Sequence, residues 1–222
     1  MNQLIIFDWD GTLMDSALKI TRCIQSAALA VGLEPPPFDT AKLVIGLGLD
    51  EAMRNLFKQS PDSQIKQLIE SYKHQFVHAD ATEQPLFAGV EAGLQHLNEA
   101  GALVAIATGK SRVGLDRVLD QSGLRSYFAF TRCADESRTK PHPQMLLDLL
   151  DYTAIPVEKA LMIGDTSFDM DMAANAQMRG LAVSYGAHPL SWLQKTSATD
   201  IVHSFEDVLN WINTSGLEPA FA

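Results

Sequence analysis

The N-terminal part of the chain contains the sequence LIIFDWDGTL at residues 4–13. Its first four residues are all apolar, which is typical of a strand buried on both faces of a parallel sheet. Asp8 and Asp10 follow that strand directly, at the edge where open α/β sheets bind ligands. Gly11 allows the backbone to turn sharply beside them. Because two like charges this close repel, a cation or a proton is expected between them, which predicts a metal site or a nucleophile with an acid/base partner.

The pattern Asp-x-Asp-Gly-Thr-Leu at residues 8–13 resembles the first motif of the haloacid dehalogenase-like hydrolases, a superfamily composed mostly of phosphatases. An isolated Asp-x-Asp pair more often caps a helix. The resemblance implies three further features in a fixed order along the chain. Their presence or absence therefore distinguishes the two interpretations.

All three features are present: Thr108-Gly109-Lys110, Lys140-Pro141-His142-Pro143 and Gly164-Asp165-Thr166-Ser167-Phe168-Asp169. A hydroxyl and free backbone N–H groups at a strand end, as at Thr108, can hold phosphate oxygens. Two prolines restrict the backbone around Lys140, which can then point at a phosphoryl group. Taken singly, these motifs are also explained by a plain turn, a solvated lysine and a helix cap at Asp165. Four motifs in the expected order, each following or preceding an apolar element, make coincidence a poor explanation.

Composition excludes several classes of function. The chain has 222 residues, is 46% apolar and carries a formal net charge of −10, which argues against nucleic acid or an anionic membrane as the main partner. Its two cysteines, Cys23 and Cys133, have no metal-binding spacing and are expected to be small buried side chains. No signal segment and no apolar run of about 20 residues is found, so a cytoplasmic protein is expected.

The chain from about residue 89 alternates apolar strands with amphipathic helices. This pattern predicts an α/β fold with a Rossmann-like parallel sheet and helices on both faces. Strands are predicted at residues 4–7, 102–107, 127–130, 160–163, 181–184 and 200–202. Helices are predicted at 90–100, 111–121, 144–151 and 205–212, and a further helix follows the strand at 160–163 and runs through residue 172.

Residues 16–81 contain no convincing strand. Helices are predicted at 17–31, at 49–58 and from 61 to about 77, where Ser60 is the expected N-cap and Pro61 the first helical residue. An all-helical insertion after the first strand would lie over Asp8 and Asp10. The predicted domains are therefore a catalytic core of residues 1–15 and 82–222 and a helical cap of residues 16–81.

By the same resemblance, Asp8 is implied to be the nucleophile that forms a phosphoaspartate, and Asp10 the acid and base. Thr108, Gly109 and Lys140 are implied to hold the phosphoryl oxygens. Mg²⁺ is the implied cofactor, bound by Asp8, Asp165 and the main-chain carbonyl of Asp10, with Asp169 supporting it directly or through a neighbour.

The helical insertion and the loop Gly46-Leu47-Gly48-Leu49 resemble phosphoglycolate phosphatase-like members of the superfamily. In these members the cap loop contacts the leaving group of the substrate, which implies a small-molecule phosphate ester here. Gly46 and Arg54 are the substrate-binding candidates in the cap, with Lys42 as a further cation. Closure of the cap would bend the chain near Ser16–Ala17 and residues 82–89.

Other activities are compatible with parts of this pattern. A β-phosphoglucomutase-like sugar phosphomutase would keep every core motif, whereas a dehalogenase would need neither Asp10 nor Asp165. A non-catalytic interaction protein would be expected to have lost an acidic motif, and none is lost here. A monomer and a small homo-oligomer are both compatible with the sequence.

Overall fold

The computed structural model describes residues 3–214, and a six-stranded sheet forms the centre of the fold. Its strands are β1 (Leu4–Phe7), β2 (Leu103–Thr108), β3 (Phe130–Cys133), β4 (Ala160–Gly164), β5 (Arg179–Val183) and β6 (Asp200–Val202). Every pairing is parallel, and the order across the sheet is β3-β2-β1-β4-β5-β6. The predicted parallel sheet is confirmed.

Strand β1 lies between β2 and β4, with Ile5 opposite Val104 on one side and Leu161 on the other. The chain fills one half of the sheet with β2 and β3, then crosses β1 to build the other half with β4, β5 and β6. Strand order therefore reverses beside β1. In open α/β sheets such a reversal opens a crevice at the carboxyl ends of the strands, and ligands bind there.

Helices cover both faces of the sheet, as predicted. The described α-helices are α1 (Ala17–Ala30), α2 (Phe38–Lys42), α3 (Leu49–Leu56), α4 (Asp62–His74), α5 (Val90–Glu99), α6 (Arg112–Ser122), α7 (Gln144–Thr153), α8 (Ser167–Asn175), α9 (Leu190–Leu193) and α10 (Phe205–Thr214). Helices α5, α6 and α10 pack with Ile5 and Phe7 on one face, whereas α7 and α8 pack with Leu4 and Ile6 on the other. Among residues 3–214, no helix is long and apolar enough to cross a membrane.

The segment between β1 and α5 is helical and has an apolar core of its own. Its fully or nearly fully buried side chains include Ile24 of α1, Met53 of α3 and Leu68 of α4. After α4 the helix widens into a π-helical turn at Gln75–Ala79. An independent core agrees with a cap domain, and the boundaries at residues 16 and 81 stay a prediction.

The two connections between this helical segment and the sheet run side by side. Met14 and Leu86 form an antiparallel bridge. The Asp15 N–H donates to Pro85 O at 2.8 Å, and the Phe87 N–H donates to Leu13 O at 3.0 Å. Both connecting segments therefore leave the core at one place, next to the predicted hinge segments.

The predicted strand at 127–130 was wrong. Residues Leu124–Tyr127 form a 3₁₀ turn, and the strand β3 begins at Phe130. As an edge strand of the described sheet, β3 pairs with one strand, β2, and its sequence Phe-Thr-Arg-Cys is half polar. The apolar residues just upstream of β3 lie at this turn and pack against the core. A prediction that assigns a strand to every apolar run therefore begins this strand three residues too early.

The helical segment also departs from prediction in its details. Helix α4 begins at Asp62, with Pro61 as its N-cap, one residue later than expected. Its end at 75–79 is a π-helical turn and not a continuation of the α-helix. The short helices α2 and α9 were not predicted, because four or five residues are too few for an amphipathic period to show.

Truncation of a side chain on β1 tests how far the fold depends on this central strand. Ile6 is fully buried among Ala107, Met145 and Met162 in the cluster on one face of the sheet. We expect Ile6→Ala to lower the free energy of unfolding by about 2–5 kcal/mol, because it removes transfer free energy and leaves a cavity. Urea denaturation measures this, with Leu147→Ala on the exposed side of α7 as the matched control. Equal effects of the two variants would contradict the assignment of β1 as the core strand.

Candidate active site

Three side chains from the predicted motifs meet at the carboxyl edge of the sheet. Asp8 follows β1, Thr108 ends β2 and Asp165 follows β4. Since these strands are adjacent, their ends are adjacent too. All three side chains are almost completely buried. The parallel sheet therefore brings these three side chains to the same edge.

Lys140 lies between two of the carboxylates. Its ammonium is 2.9 Å from Asp8 Oδ1 and 2.6 Å from Asp169 Oδ1, and it is fully buried. Burial disfavours the charged ammonium, but the carboxylates of Asp169 and Asp8 outweigh this and raise the pKa of Lys140. Lys140 is thus a fixed positive charge inside the acidic cluster.

Asp169 holds Lys140 in place and caps a helix at the same time. Its Oδ2 accepts hydrogen bonds from Thr166 N at 3.0 Å and Thr166 Oγ1 at 2.6 Å. Asp169 N donates in return to Thr166 Oγ1 at 3.4 Å, and this bond and the one from Thr166 N form a capping box at the N-terminus of α8. Because Oδ1 binds Lys140, both carboxylate oxygens of Asp169 already have partners.

Asp165 is held by the loops on either side of it. Thr12 Oγ1 donates to Asp165 Oδ1 at 2.7 Å, and Ala187 N donates to Oδ2 at 2.6 Å. Gly11 adopts a left-handed conformation with φ of 82°, and a Cβ there would collide with the Asp165 carboxylate. Glycine is therefore required at position 11 both by the backbone and by the close approach to Asp165.

Asp8 has one satisfied oxygen and one without a partner. Trp9 N donates to Oδ1 at 2.7 Å, and Lys140 binds the same oxygen. Within residues 3–214 the buried Oδ2 has no hydrogen-bond partner. Burial raises the pKa of Asp8 to about 7, although the Lys140 ammonium lowers it. An unpartnered buried oxygen of this kind is open either to a cation or to a reacting atom.

The acidic cluster fits a hard cation. Asp8, Asp165 and Asp169 each place a carboxylate oxygen within 4.8 Å of the others. Burial, together with the neighbouring Asp169 and Asp8 charges, raises the pKa of Asp165 well above its usual value. An all-oxygen donor set and excess negative charge are what Mg²⁺ prefers.

The carboxylate of Asp10 points away from this cluster and into a cavity. Ser16 Oγ donates to its Oδ1 at 2.6 Å, and the Lys110 ammonium lies 2.9 Å from both of its oxygens. The two aspartates of the first motif therefore serve different places, with Asp8 facing the acidic cluster and Asp10 facing the cavity. Only the main chain of Asp10 was expected to reach a metal, and its side-chain direction is compatible with that expectation.

Sequence reasoning missed the role of Lys110. Its ammonium is the basic partner of Asp10, and both side chains are largely buried. A signal was available, because Lys110 follows Thr108 by two residues at the same strand end. The sequence does not show which side chain Lys110 pairs with, because Lys110 and Asp10 are 100 residues apart and only the tertiary fold brings β2 next to β1.

Gly109 lies directly beneath the loop that contains Gly46. A Cβ at Gly109 would be 2.5 Å from Gly46 O and 2.6 Å from Leu47 O, so only glycine allows this contact. Gly46, Gly109, Thr108 and Asp10 all line one cavity of about 850 Å³ between the helical segment and the sheet edge. The structure thus places Gly46 in the wall of this cavity, and its contact with a substrate stays a prediction.

Arg54 is not brought to the site. Its guanidinium lies 2.6 Å from Asp50 Oδ1 and 2.6 Å from Asp62 Oδ1 on the exposed side of the helical segment. Neither Arg54 nor Lys42 is among the residues that line the cavity. The prediction of Arg54 as a substrate-binding residue therefore has no support in this arrangement. The helical spacing of Asp50 and Arg54 favours the surface ion pair, because residues four apart on a helix face each other.

Two polar contacts hold the helical segment against the core. Thr139 Oγ1 donates to Glu51 Oε2 at 2.7 Å. His188 Nδ1 accepts from Ser167 N at 3.0 Å, so its Nε2 carries the hydrogen and donates to Leu43 O at 3.0 Å. Glu51 and Thr139 also line the cavity, so the helical segment and the core are joined at its wall.

The family is settled by comparison with known proteins. A model of the haloacid dehalogenase-like hydrolases matches residues 5–183, which include every motif described above. The chain belongs to the haloacid dehalogenase-like hydrolase family. The resemblance seen in the sequence is confirmed.

Individual relatives match over most of their length. "Probable phosphatase IndB" of Dickeya dadantii is 30% identical over 94% of this chain and 93% of its own. "Phosphoglycolate phosphatase" of Agrobacterium fabrum is 27% identical over 84% and 82%. A haloacid dehalogenase-like family hydrolase from Streptococcus pneumoniae superposes with a TM-score of 0.83 at 23% identity, covering 95% of this chain and 98% of that one. The last comparison shows a shared fold.

Removal of the Lys140 charge tests the electrostatic balance of the cluster. We expect Lys140→Met to lower the free energy of unfolding by about 3–5 kcal/mol at pH 8, because buried carboxylates lose their cation. At pH 5 the loss should be smaller, since the pKa of Asp8 is raised to about 7 and this carboxyl is largely uncharged at pH 5. Urea denaturation at both pH values measures this. Lys73→Met, which removes an exposed ion pair with Glu70, is the control and should show little effect at either pH.

Proposed function

We propose that this protein is a Mg²⁺-dependent phosphatase that hydrolyses a small-molecule phosphomonoester through a phosphoaspartate on Asp8. One observation carries the proposal: among the described residues, Asp8 presents an unpartnered buried oxygen beside Lys140 and two further carboxylates, at the floor of the cavity between the helical segment and the sheet. The names of relatives that match nearly the whole chain, a phosphatase and a phosphoglycolate phosphatase, support it.

Asp8, Asp165 and the main-chain carbonyl of Asp10 would hold the metal, with Asp169 acting through Lys140 and Thr166. When bound, Mg²⁺ supplies the positive charge that lets an anionic phosphate approach an anionic carboxylate. Asp169 has both oxygens engaged, which favours the supporting position over direct ligation. The Thr12 and Ala187 hydrogen bonds orient Asp165 for this role.

In the first step an oxygen of Asp8 attacks phosphorus and the bond to the ester oxygen breaks. Thr108 and the backbone at Gly109 would hold the phosphoryl oxygens, and the Lys140 ammonium would stabilise the charge on them. Asp10 faces the cavity, where the alcohol departs, and would donate the proton that the alcohol needs.

In the second step water attacks the phosphorus of the phosphoaspartate. Asp10 would accept the proton from this water, the acyl phosphate bond breaks, and Asp8 is regenerated with release of inorganic phosphate. Ser16 and Lys110 hold the Asp10 carboxylate in position for both transfers. Asp8 faces the acidic cluster and Asp10 faces the cavity, which agrees with their separate proposed roles as nucleophile and as acid and base.

We further propose a cytoplasmic enzyme without nucleic-acid or membrane partners. A net charge of −10 disfavours both kinds of polyanionic surface. Cys23 and Cys133 are free and buried, which suits a reducing compartment.

Replacement of the proposed nucleophile gives a direct test. We expect Asp8→Asn to reduce release of inorganic phosphate from small phosphomonoesters, including 2-phosphoglycolate, by about 10⁴-fold or more, because the amide cannot form the acyl phosphate. Chelation of Mg²⁺ should abolish release by the unaltered protein. Circular dichroism and thermal unfolding would establish that the variant is folded. Phosphate release at an undiminished rate in Asp8→Asn would refute the mechanism, and transfer of phosphate between sugar hydroxyls without release would point to a mutase.

Metal binding should be visible without any substrate. A carboxyl group whose pKa is raised in the folded state stabilises the protein at low pH, and this stabilisation is lost as pH rises through the folded pKa, here about 7 for Asp8. Mg²⁺ binds the ionised groups and must displace protons at low pH. We therefore expect Mg²⁺ to raise Tm clearly at pH 8 and much less at pH 5, in thermal scans with and without the metal. An equal shift at both values, or a similar shift in Asp165→Asn, would contradict the assigned site.

A further inference from the structure

The cavity that contains Asp10 is larger and less polar than a small hydroxy acid needs. We propose that it binds a bulky, largely apolar alcohol, so that the substrate is a phosphomonoester of an aromatic or similarly large apolar alcohol. The inference rests on the proposed function, because it names the leaving group for the same site. It differs from what the names of several relatives would suggest for them, a phosphate ester of glycolate.

Size is the first argument. The cavity measures about 850 Å³ and extends from Asp8 and Thr108 up to the helical segment. Pockets of roughly 300–1,000 Å³ bury ligands of drug size. A phosphoryl group with a small hydroxy acid attached would fill only the floor, and the rest of the cavity would stay filled with water.

The chemistry of the walls is the second argument. Four separate elements contribute apolar side chains: Ile24 from α1, Leu47 from the loop after α2, Ile69 from α4 and Phe76 from the π-helical turn. Water against such walls is released when an apolar group takes its place, which favours binding. An alcohol with an apolar body would therefore gain affinity from the whole height of the cavity.

The charged groups of the lining do not favour an anionic leaving group. Lys110 is already bound to Asp10, and Lys73 to Glu70. Asp50 is paired with Arg54, so among the described residues the charged side chains of the upper lining without an ion-pair partner are Arg117, Glu51 and Asp135. Carboxylates thus outnumber cations without a carboxylate partner, and a second carboxylate on the substrate would meet net negative charge.

Phe76 occupies the position where such a body would be recognised. The Lys19 and Lys110 ammonium groups each lie 5.2 Å from the centre of its ring and interact with it. Because Lys110 also binds Asp10, the ring is close to the carboxylate that would protonate the alcohol. π-Helical turns occur frequently at functional sites, and this one directs Phe76 into the cavity. An aromatic group on the alcohol would contact the edge of this ring, an arrangement that aromatic pairs favour.

The mouth of the cavity carries two exposed apolar side chains, one from each side. Val77 of the helical segment is 39% exposed, and Val113 of α6 in the core is 68% exposed. Single exposed apolar residues are common on proteins. Two of them on facing walls of one cavity extend its apolar surface outward, so a long apolar group would cover both.

A substrate series separates size from chemistry. We expect kcat/KM for phosphate release to rise at least about tenfold from ethyl phosphate to benzyl phosphate and to stay high for 2-naphthylmethyl phosphate, all of which are esters of primary alcohols. 2-Phosphoglycolate should be no better than ethyl phosphate. A flat series, or 2-phosphoglycolate as the best substrate, would overturn the inference and leave the phosphatase proposal intact.

A charge at the mouth tests the apolar walls. Val113→Glu is an exposed substitution that should not affect folding, and we expect it to lower the ratio of kcat/KM for 2-naphthylmethyl over ethyl phosphate about tenfold. Leu147→Glu is the matched control, because Leu147 is 38% exposed on α7 and lies outside the cavity. It should leave the ratio unchanged. An unchanged ratio in Val113→Glu would also count against the inference.

Binding without turnover distinguishes the two proposals. Isothermal titration of Asp8→Asn with 2-naphthylmethyl phosphate should give a more negative heat-capacity change than titration with ethyl phosphate, since apolar surface is buried. If this difference is found but the unaltered protein releases no phosphate from any ester, the phosphatase proposal fails and the binding inference stands. Equal heat-capacity changes for the two esters would refute the apolar pocket whatever the activity.

Discussion

The ion pairs of the Lys140 ammonium with Asp8 and Asp169 are the interactions on which the rest of the site depends. The fold buries the carboxylates of Asp8, Asp165 and Asp169 within 4.8 Å of one another, and their charges repel. Lys140 supplies one positive charge and binds only one oxygen of Asp8. The cluster is left with surplus negative charge and one unpartnered oxygen, Oδ2 of Asp8. A cation completes this balance, which is why a metal-dependent reaction at Asp8 fits the geometry.

The sheet makes this concentration of charge possible. β1 is central and is paired on both sides, so the end of β1 is fixed by its neighbours β2 and β4. Fully apolar strands supply the stability that a buried acidic cluster reduces. The capping box at α8 adds to this, because the same Asp169 that orders the helix also orients Lys140. The start of α8 and the position of Lys140 in the acidic cluster thus depend on the same side chain, Asp169.

The core and the helical segment have separate tasks. The core fixes the groups that would handle phosphorus, and the helical segment provides most of the wall around the leaving group. Their contact at Gly109 and Gly46 is so close that no side chain fits between them. Residues of the upper cavity wall such as Phe76 can therefore change without altering the acidic cluster, because the two sets of side chains belong to different elements.

The sequence by itself determined the parallel sheet and the residues at its carboxyl edge. Strands 4–7 and 160–163 were located within one residue, since buried parallel strands are apolar on both faces and end abruptly at charged groups. The half-polar edge strand β3 was misplaced, because its pattern lacks that contrast.

Only the tertiary structure decided which side chains meet. It paired Lys110 with Asp10 across 100 residues and kept Arg54 on the surface with Asp50 and Asp62. It also decided the size and apolar character of the cavity. Periodicity along a chain reports whether a side chain is covered, but not which distant side chain covers it, and a substrate pocket consists of such distant contacts.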